Sequence, residues 1–388
     1  MNGGDRLRVA ALFAGIGGIE KGLSAHGHVT DFFCEADALA QAVLRNRFGD
    51  VPLWADIRNL PTLGEAELVT AGFPCQDLSQ AGRTRGIDGS QSGLVRHVFD
   101  LLEDAQPRWV VLENVPFMLQ LDRGRAMWRL VDELHRLGFR WAYRVIDARS
   151  FGLPQRRQRV LLLASRTEDP ATVLFADEAG GPSIMDPAVR ACGFYWTEGL
   201  RGLGWAVDAV PTLKGGSGVG IPSSPAIWMP DGRIGTVDIR DAERLQGFAA
   251  GWTEVDARGA YRQGHRWKLV GNAVSVRVAQ WIGQRLLEPG DPIMLGRGRD
   301  LHPGDSWPRA ASCVGLGNRV ASVELSPWPV SAPYEHLAEF LEHPLIPLSV
   351  RAAEGFLGRA ERSSLRFPAG LLDAIRLHIT SMKEKPAA

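Results

Sequence analysis

The sequence predicts an α/β protein: a largely parallel sheet covered on both faces, followed by a smaller irregular unit and a helical tail. Three observations carry this. Residues 8–165 alternate short apolar runs with helical patterns, the mark of strand–helix–strand units. Residues 166–235 are rich in Gly and Pro and hold Phe194, Tyr195, Trp196 and Trp205 without a regular period. Beyond 289–305, which reads as a linker, apolar residues return to helical spacing, as at Leu337, Phe340 and Leu341 and at Leu371, Ile375 and Leu377.

The elements follow in order. Arg8–Ala14 is the first strand, and the glycines after it open a helix over Gly18–His26. Val29–Glu35 is the second strand and Ala38–Phe48 the next helix. Leu68–Phe73 is a strand stopped by Pro74, which cannot donate to a ladder. A helix at Leu94–Asp104 leads to the strand Trp109–Glu113, and one at Ala126–Leu137 leads to Trp141–Asp147. Val160–Ala164 follows without an intervening helix, so an antiparallel edge is expected. Asp241–Phe248 reads as helical and Val274–Leu287 as an amphipathic helix. The tail adds helices at His336–Glu342, Arg351–Arg362 and Gly370–Met382.

Composition narrows the class. With 388 residues, 45% hydrophobic and 23% charged, the chain suits a soluble protein of two or three packed units. No apolar run approaches the roughly 20 residues that span a bilayer, and the N-terminus lacks the features of a signal peptide. Cys34, Cys75, Cys192 and Cys313 show neither metal-ligand spacing nor a disulfide framework, so no metal is expected and a reducing cytoplasm is. Lys and Arg balance Asp and Glu at 44 each, which excludes a cationic coat but not a local basic cleft. Arg140–Arg166 holds seven arginines against the single acid Asp147. The tail from 289 carries eleven of each sign and offers no phosphate-binding stripe.

Chemistry collects at the expected strand ends. Phe13-Ala14-Gly15-Ile16-Gly17-Gly18 is a glycine turn through which a ligand can approach the backbone. Glu20 stands where a dinucleotide fingerprint needs its third glycine, so the turn is a poor nicotinamide site. Glu35 closes the second strand, where an acid can accept both hydroxyls of a ribose. Asp56 is placed to take an adenine amino group. Cys75 follows Gly72-Phe73-Pro74 and precedes a polar loop, Gln76–Gln91, able to close. Glu113 ends another strand, and strand ends of a parallel sheet share one rim, so thiol and carboxyl can meet. That pair suits acid catalysis on an electrophile which the thiol attacks. Arg157 and Arg159 are expected to share a face by strand alternation.

In this order, from Leu12 to about Leu287, these residues strongly resemble the DNA (cytosine-5)-methyltransferase family of bacterial and phage type. The resemblance implies a Rossmann-like S-adenosylmethionine-dependent methyltransferase sheet. It also implies a cofactor site formed by Phe13, Ala14, Gly15, Ile16, Gly18, Glu35, Asp56, Ile57, Gly72, Pro74, Leu94, Asn272, Ala273 and Val274. Gly72-Phe73-Pro74-Cys75-Gln76 matches the nucleophile motif, and Ser92-Gly93-Leu94 the next. Glu113-Asn114-Val115 matches the catalytic acid, and Gln155-x-Arg157-x-Arg159 the arginine motif. Arg157 is expected to hold the base oxygen or a nearby phosphate, with Arg159 assisting. Arg244-Leu245-Gln246-Gly247-Phe248 borders the target-recognition region, and Gly271–Ser275 matches the final motif. There are departures: Arg277 and Ala249 replace prolines, and Asp238-Ile239-Arg240-Asp241 replaces Thr-Pro-x-Glu.

The domains implied are 1–165 for catalysis and cofactor, 166–262 for target recognition, 263–288 as a helix returning to the first, and 289–388 as an extension. The activity implied is methyl transfer to carbon 5 of a flipped-out cytosine in double-stranded DNA through a Cys75 adduct. The setting implied is a monomer in a prokaryotic cytoplasm, alongside components of a restriction or defence system and away from membranes. A tRNA cytosine methyltransferase would be expected to carry Cys-Phe-Thr, which is absent, and a non-catalytic relative to lack Cys75 or Glu113, which are present.

Overall fold

In the computed structural model the described residues are 5–73, 93–182, 190–216, 223–255, 263–293, 298–313 and 319–384. They fall into two compact units. One comprises Met1–Ser150, Gln158–Gly181 and Val274–Ser331; the other comprises Phe151–Arg157, Pro182–Ala273 and Ala332–Ala388.

The strands, in chain order, begin with β1 (Arg8–Leu12), β2 (Val29–Cys34), β3 (Leu53–Trp54), β4 (Leu68–Ala71), β5 (Trp109–Asn114) and β6 (Arg140–Asp147). β7 (Gln155–Arg156) belongs to the second unit and β8 (Gln158–Ser165) to the first. The second unit continues with β9 (Cys192–Phe194), β10 (Trp205–Val207), β11 (Val210–Pro211), β12 (Ala226–Trp228) and β13 (Ile234–Thr236). β14 (Ala310–Cys313) and β15 (Ala321–Ser322) return to the first, and β16 (Ile346–Pro347) to the second. The helices are α1 (Gly18–Ser24), α2 (Ala38–Phe48), α3 (Leu94–Ala105), α4 (Arg125–Arg136), α5 (Ala171–Leu174), α6 (Ile239–Leu245), α7 (Gln263–Asn272), α8 (Val276–Leu287), α9 (Leu337–Phe340), α10 (Val350–Glu361) and α11 (Leu371–Glu384).

The first unit is a nine-stranded sheet in the order β15-β14-β6-β8-β5-β4-β1-β2-β3. From β3 to β5 the pairs are parallel; from β5 through β8 and β6 to β15 they are antiparallel. The strands read as buried runs because helices cover the sheet. Val95, Val98, Phe99 and Leu102 of α3 and Met127, Leu130, Val131 and Leu134 of α4 supply one such cover. Asp37 caps α2, its carboxylate accepting from the amides of Leu39 and Ala40.

The helix after the final motif, α8, packs on α1 at close range. A Cβ on Gly22 would stand 2.4 Å from that of Ala279 and 2.6 Å from the carbonyl oxygen of Val276, so this crossing needs glycine. His28 ties the same layer: its Nδ1 accepts from the Leu7 amide at 3.0 Å, which leaves the proton on Nε2 for the Gly283 carbonyl, also at 3.0 Å.

Two expectations are corrected here. The stretch 166–235 is not irregular throughout: with β16 it forms a five-stranded sheet in the order β10-β9-β12-β13-β16. Residues 289–388 are not a separate extension. β14 pairs antiparallel with β6 and carries the nine-stranded sheet outward. α10 and α11 cover the smaller sheet, where Phe356 is fully buried with its ring centroid 4.7 Å from that of Phe194. Truncation after Pro289 should therefore give an insoluble chain. It strips the ladder from β6 and removes Phe356, whose truncation alone costs about 3–5 kcal/mol. That is a large part of a typical 5–15 kcal/mol total. A soluble truncate with a cooperative melt would contradict this.

Candidate active site

The parallel strands β1, β2, β3, β4 and β5 end on one rim. Beyond β1 the backbone is left-handed at Phe13, Gly15 and Gly17, with φ of +53°, +56° and +78°. Gly17 has a further reason to be glycine: a Cβ there would lie 2.4 Å from the ring of Phe48. Above Gly15 a Cβ would meet nothing within 4 Å, so the turn is open where a ligand would lie. Ile16 is 1% exposed and can offer a ligand only its backbone. Gly18 opens α1, and Phe13 and Ala14 are half-buried beside it.

Glu35 locks onto this turn. Its Oε2 accepts the Gly15 amide at 2.8 Å and its Oε1 the Asp37 amide at 2.7 Å. Burial raises its carboxyl above the ordinary range, and the two amides oppose that shift. Each oxygen keeps a lone pair, so the carboxylate can still accept from a diol. An open glycine turn beside such an acid fits the nucleoside part of S-adenosylmethionine. Glu35→Ala should weaken cofactor binding by about 1.5–3 kcal/mol, the value of hydrogen bonds to a charged group. Calorimetry giving an unchanged affinity would contradict it.

Asp56, expected to take an adenine amino group, is engaged locally. Its carboxylate forms a two-pronged pair with Arg58, at 2.6 Å from Nη2 and 2.9 Å from Nε, and caps the turn at Ile57–Asn59. The hydrogen bond from Arg58 holds its pKa below the usual range. Ile57 is buried in the core and Leu94 packs half-buried at the start of α3.

The rim around Glu113 is built by β4 and β5. Ala71 pairs with Leu112, so Gly72 follows beside Glu113. A Cβ on Gly72 would stand 3.5 Å from Glu113 Oε2. Arg159, near the start of β8, holds the other oxygen, with Nε 2.8 Å from Oε1. Asn114 clamps the same corner: its Nδ2 donates to the Phe73 carbonyl at 2.9 Å while its Oδ1 accepts the Val115 amide. Pro74, Cys75, the loop Gln76–Gln91 and Ser92 lie outside the described residues. The other three cysteines are buried. Burial pushes the thiols of Cys34 and Cys192 up to about 12 and also raises Cys313, which suits none of them to thiolate chemistry.

Arg157 and Arg159 do not share a face. The chain leaves β7 at Arg157 before β8 begins, and alternation breaks there. Arg157 is 2% exposed and is a clamp of the second unit. Its guanidinium donates to the carbonyls of Leu213, Gly271 and Ala273 at 3.0, 3.1 and 2.6 Å. Asn272 and Ala273 belong to this second unit and Val274 to the first. Gln155 and Gln246 complete the clamp: Gln155 Nε2 donates to the Leu245 carbonyl at 2.8 Å, and Gln246 Nε2 to that of Val270 at 2.8 Å. Thus the glutamines of the Gln-x-Arg and Arg-Leu-Gln-Gly motifs carry architecture. The departure at Asp241 has a use as well, since its carboxylate accepts the amides of Glu342 and His343 from the tail.

Sequence reasoning missed Asn114 as a positioning residue, although it adjoins Glu113 in the quoted motif. It also missed Glu20, which is 2% exposed and accepts from Thr70 Oγ1 at 2.7 Å. Burial pushes this carboxyl up to about 7. A folded-state pKa above the unfolded one means stability that is full below about 4.5 and lost as pH rises through 7. Glu20→Gln should therefore flatten the fall of Tm between pH 5 and pH 8. Equal falls in variant and wild type would contradict it.

Comparison with known proteins points to one family. The family model described as C-5 cytosine-specific DNA methylase matches residues 7–183. Type II methyltransferase M2.BsuMI of Bacillus subtilis (strain 168) is 51% identical over 369 residues, which is 92% of this chain and 94% of that protein. Type II methyltransferase M.HhaI of Haemophilus parahaemolyticus is 30% identical over 164 residues, 42% of this chain and 50% of its own length. Among solved structures, the Dnmt2 methyltransferase of S. pombe superposes with a TM-score of 0.55 at 16% identity, covering 73% of this chain and 99% of that one, a likeness of fold.

Proposed function

We propose a reaction cycle from one premise: the chain belongs to the C-5 cytosine-specific DNA methylases, enzymes that use S-adenosylmethionine. It is accordingly a DNA (cytosine-5-)-methyltransferase. The cycle runs through Cys75 and Glu113. Inside a duplex the carbon 6 of cytosine is out of reach, so the target base is flipped into the pocket. The Cys75 thiolate adds to carbon 6, forming a C–S bond and pushing the ring's electron pair toward carbon 5 and nitrogen 3. Glu113 supplies a proton at nitrogen 3, which leaves carbon 5 nucleophilic. The cofactor, when bound, would supply the methyl group to carbon 5, its sulfonium C–S bond breaking to leave a neutral thioether. Loss of the carbon-5 proton to water restores the double bond and expels Cys75 as its thiolate, and nitrogen 3 returns its proton to Glu113.

One observation supports this reading above the rest. The pairing of β4 with β5 sets Gly72 beside Glu113, Arg159 fixes one oxygen of that carboxyl, and Asn114 pins the Phe73 carbonyl two residues before Cys75. A carboxyl held at this rim supports the role of Glu113 as the acid at nitrogen 3. Arg159 is a positioning residue in this scheme. Target recognition falls to the smaller sheet and its neighbours within 166–262. The enzyme acts on double-stranded DNA as a monomer in a prokaryotic cytoplasm, beside a restriction or defence system.

Bisulfite sequencing of DNA from a methylation-free host expressing the chain tests this. Protected cytosines in one short sequence context are expected, and none with Cys75→Ser. A fully converted genome from the wild-type host would overturn the reading.

A further inference from the structure

Between β5 and α4 the backbone turns left-handed at three consecutive residues, with φ of +54° at Asp122, +56° at Arg123 and +83° at Gly124. Glycine accepts this freely and Asp tolerates it, but arginine seldom does. The turn must be held from outside, and part of the tail holds it. Trp307 Nε1 donates to the Gly124 carbonyl at 3.0 Å. The Trp307 ring is 9% exposed and packs on Trp128, with centroids 4.5 Å apart, and on Tyr143, at 5.9 Å. Asp122 is anchored by Arg125 and Arg129, at 2.5 and 3.0 Å. Arg123 alone is left outward. It is exposed and makes no hydrogen bond or ion pair with any described residue.

The topology fixes where this turn lies. β5 and β6 both run antiparallel to β8, so they run parallel to each other. The crossover helix α4 therefore starts at the carboxyl edge of the sheet, the edge on which β5 presents Glu113.

We propose that Arg123 is a DNA-backbone contact: its guanidinium takes a phosphate of the duplex beside the target cytosine, and Trp307 is the positioning residue that keeps it there. The planar fork of arginine suits a phosphate's two oxygens. The neighbouring acid is already neutralised, so it does not compete. This assigns a task to a tail segment whose balanced charge offers no phosphate stripe. The inference rests on DNA being the substrate.

The test is the salt dependence of duplex binding by the full-length protein. Arg123→Gln should make the log–log slope shallower by about 0.9 and weaken binding roughly five- to tenfold at 0.1 M salt. Arg123→Gly should lose the same slope while melting no lower than wild type, because glycine relieves the left-handed strain. Trp307→Phe keeps a ring but drops the bond to Gly124, and its slope should fall toward that of Arg123→Gln. Arg140 is exposed and opens β6 at the opposite edge, so Arg140→Gln should keep the wild-type slope. An Arg123→Gln slope equal to wild type, or an equal loss in Arg140→Gln, would overturn the proposal while leaving DNA as the substrate. A wild-type protein without salt-dependent binding would overturn both.

Discussion

Replacing Cys75 by serine is expected to abolish methyl transfer, lowering the rate by on the order of 10⁴ or more, while cofactor binding stays near wild type. A thiolate is a strong nucleophile near neutral pH, and an alcohol without an adjacent base is not. Losing a nucleophile removes the pathway and not merely one contact, which is why such effects exceed those of other active-site changes. Cofactor binding is expected to be spared because the proposed cofactor residues, the turn at Phe13–Gly18 and Glu35, follow β1 and β2 and not β4. Single-turnover methylation and calorimetry on one preparation check both halves. A serine variant retaining a tenth of wild-type rate would contradict the assignment.

Glu113→Gln is expected to lower the chemical step by about 10²–10⁴, the usual worth of a positioned acid. The amide can still accept from Arg159 but cannot give its proton to nitrogen 3. Glu35→Ala should do the reverse, weakening the cofactor more than the chemical step. Equal losses of cofactor affinity in the two variants would contradict this division. Arg159→Met should fall between, because Glu113 would keep its proton chemistry but lose the contact at Oε1.

What the sequence made legible follows length and period. The six expected strands, found as β1, β2, β4, β5, β6 and β8, lie within two residues of their expected ends, because strands buried under helices read as unbroken apolar runs. α2 is found at its expected residues, bounded by the Asp37 cap and by Gly49 at φ +65°. Strands of the smaller sheet were not legible, since three residues such as Cys192–Phe194 are too few to display alternation. β14 hid for a different reason: Ala310-Ala311-Ser312-Cys313 has no β-branched residue and is defined by its partner β6. That Glu113, Glu35 and the glycine turn would meet on one rim was legible from strand ends alone. Arg157 misled because two arginines one residue apart suggest a shared face, and only the break between β7 and β8 reveals that one is an internal clamp. The pair of Asp56 with Arg58, two residues on, was not legible, because only the turn at Ile57–Asn59 brings the two side chains together.

The covalent step is open to direct capture. Once the methylated context is known, a duplex bearing 5-fluorocytosine at the target position can be mixed with enzyme and S-adenosylmethionine and resolved under denaturing conditions. Fluorine cannot leave carbon 5 as a proton does, so the cycle should stall with Cys75 still bonded to carbon 6. A denaturant-resistant protein–DNA species is expected, mapping to the Cys75 peptide and absent from Cys75→Ser. An active wild-type enzyme that forms no such species, or an adduct that persists in the serine variant, would contradict attack by Cys75.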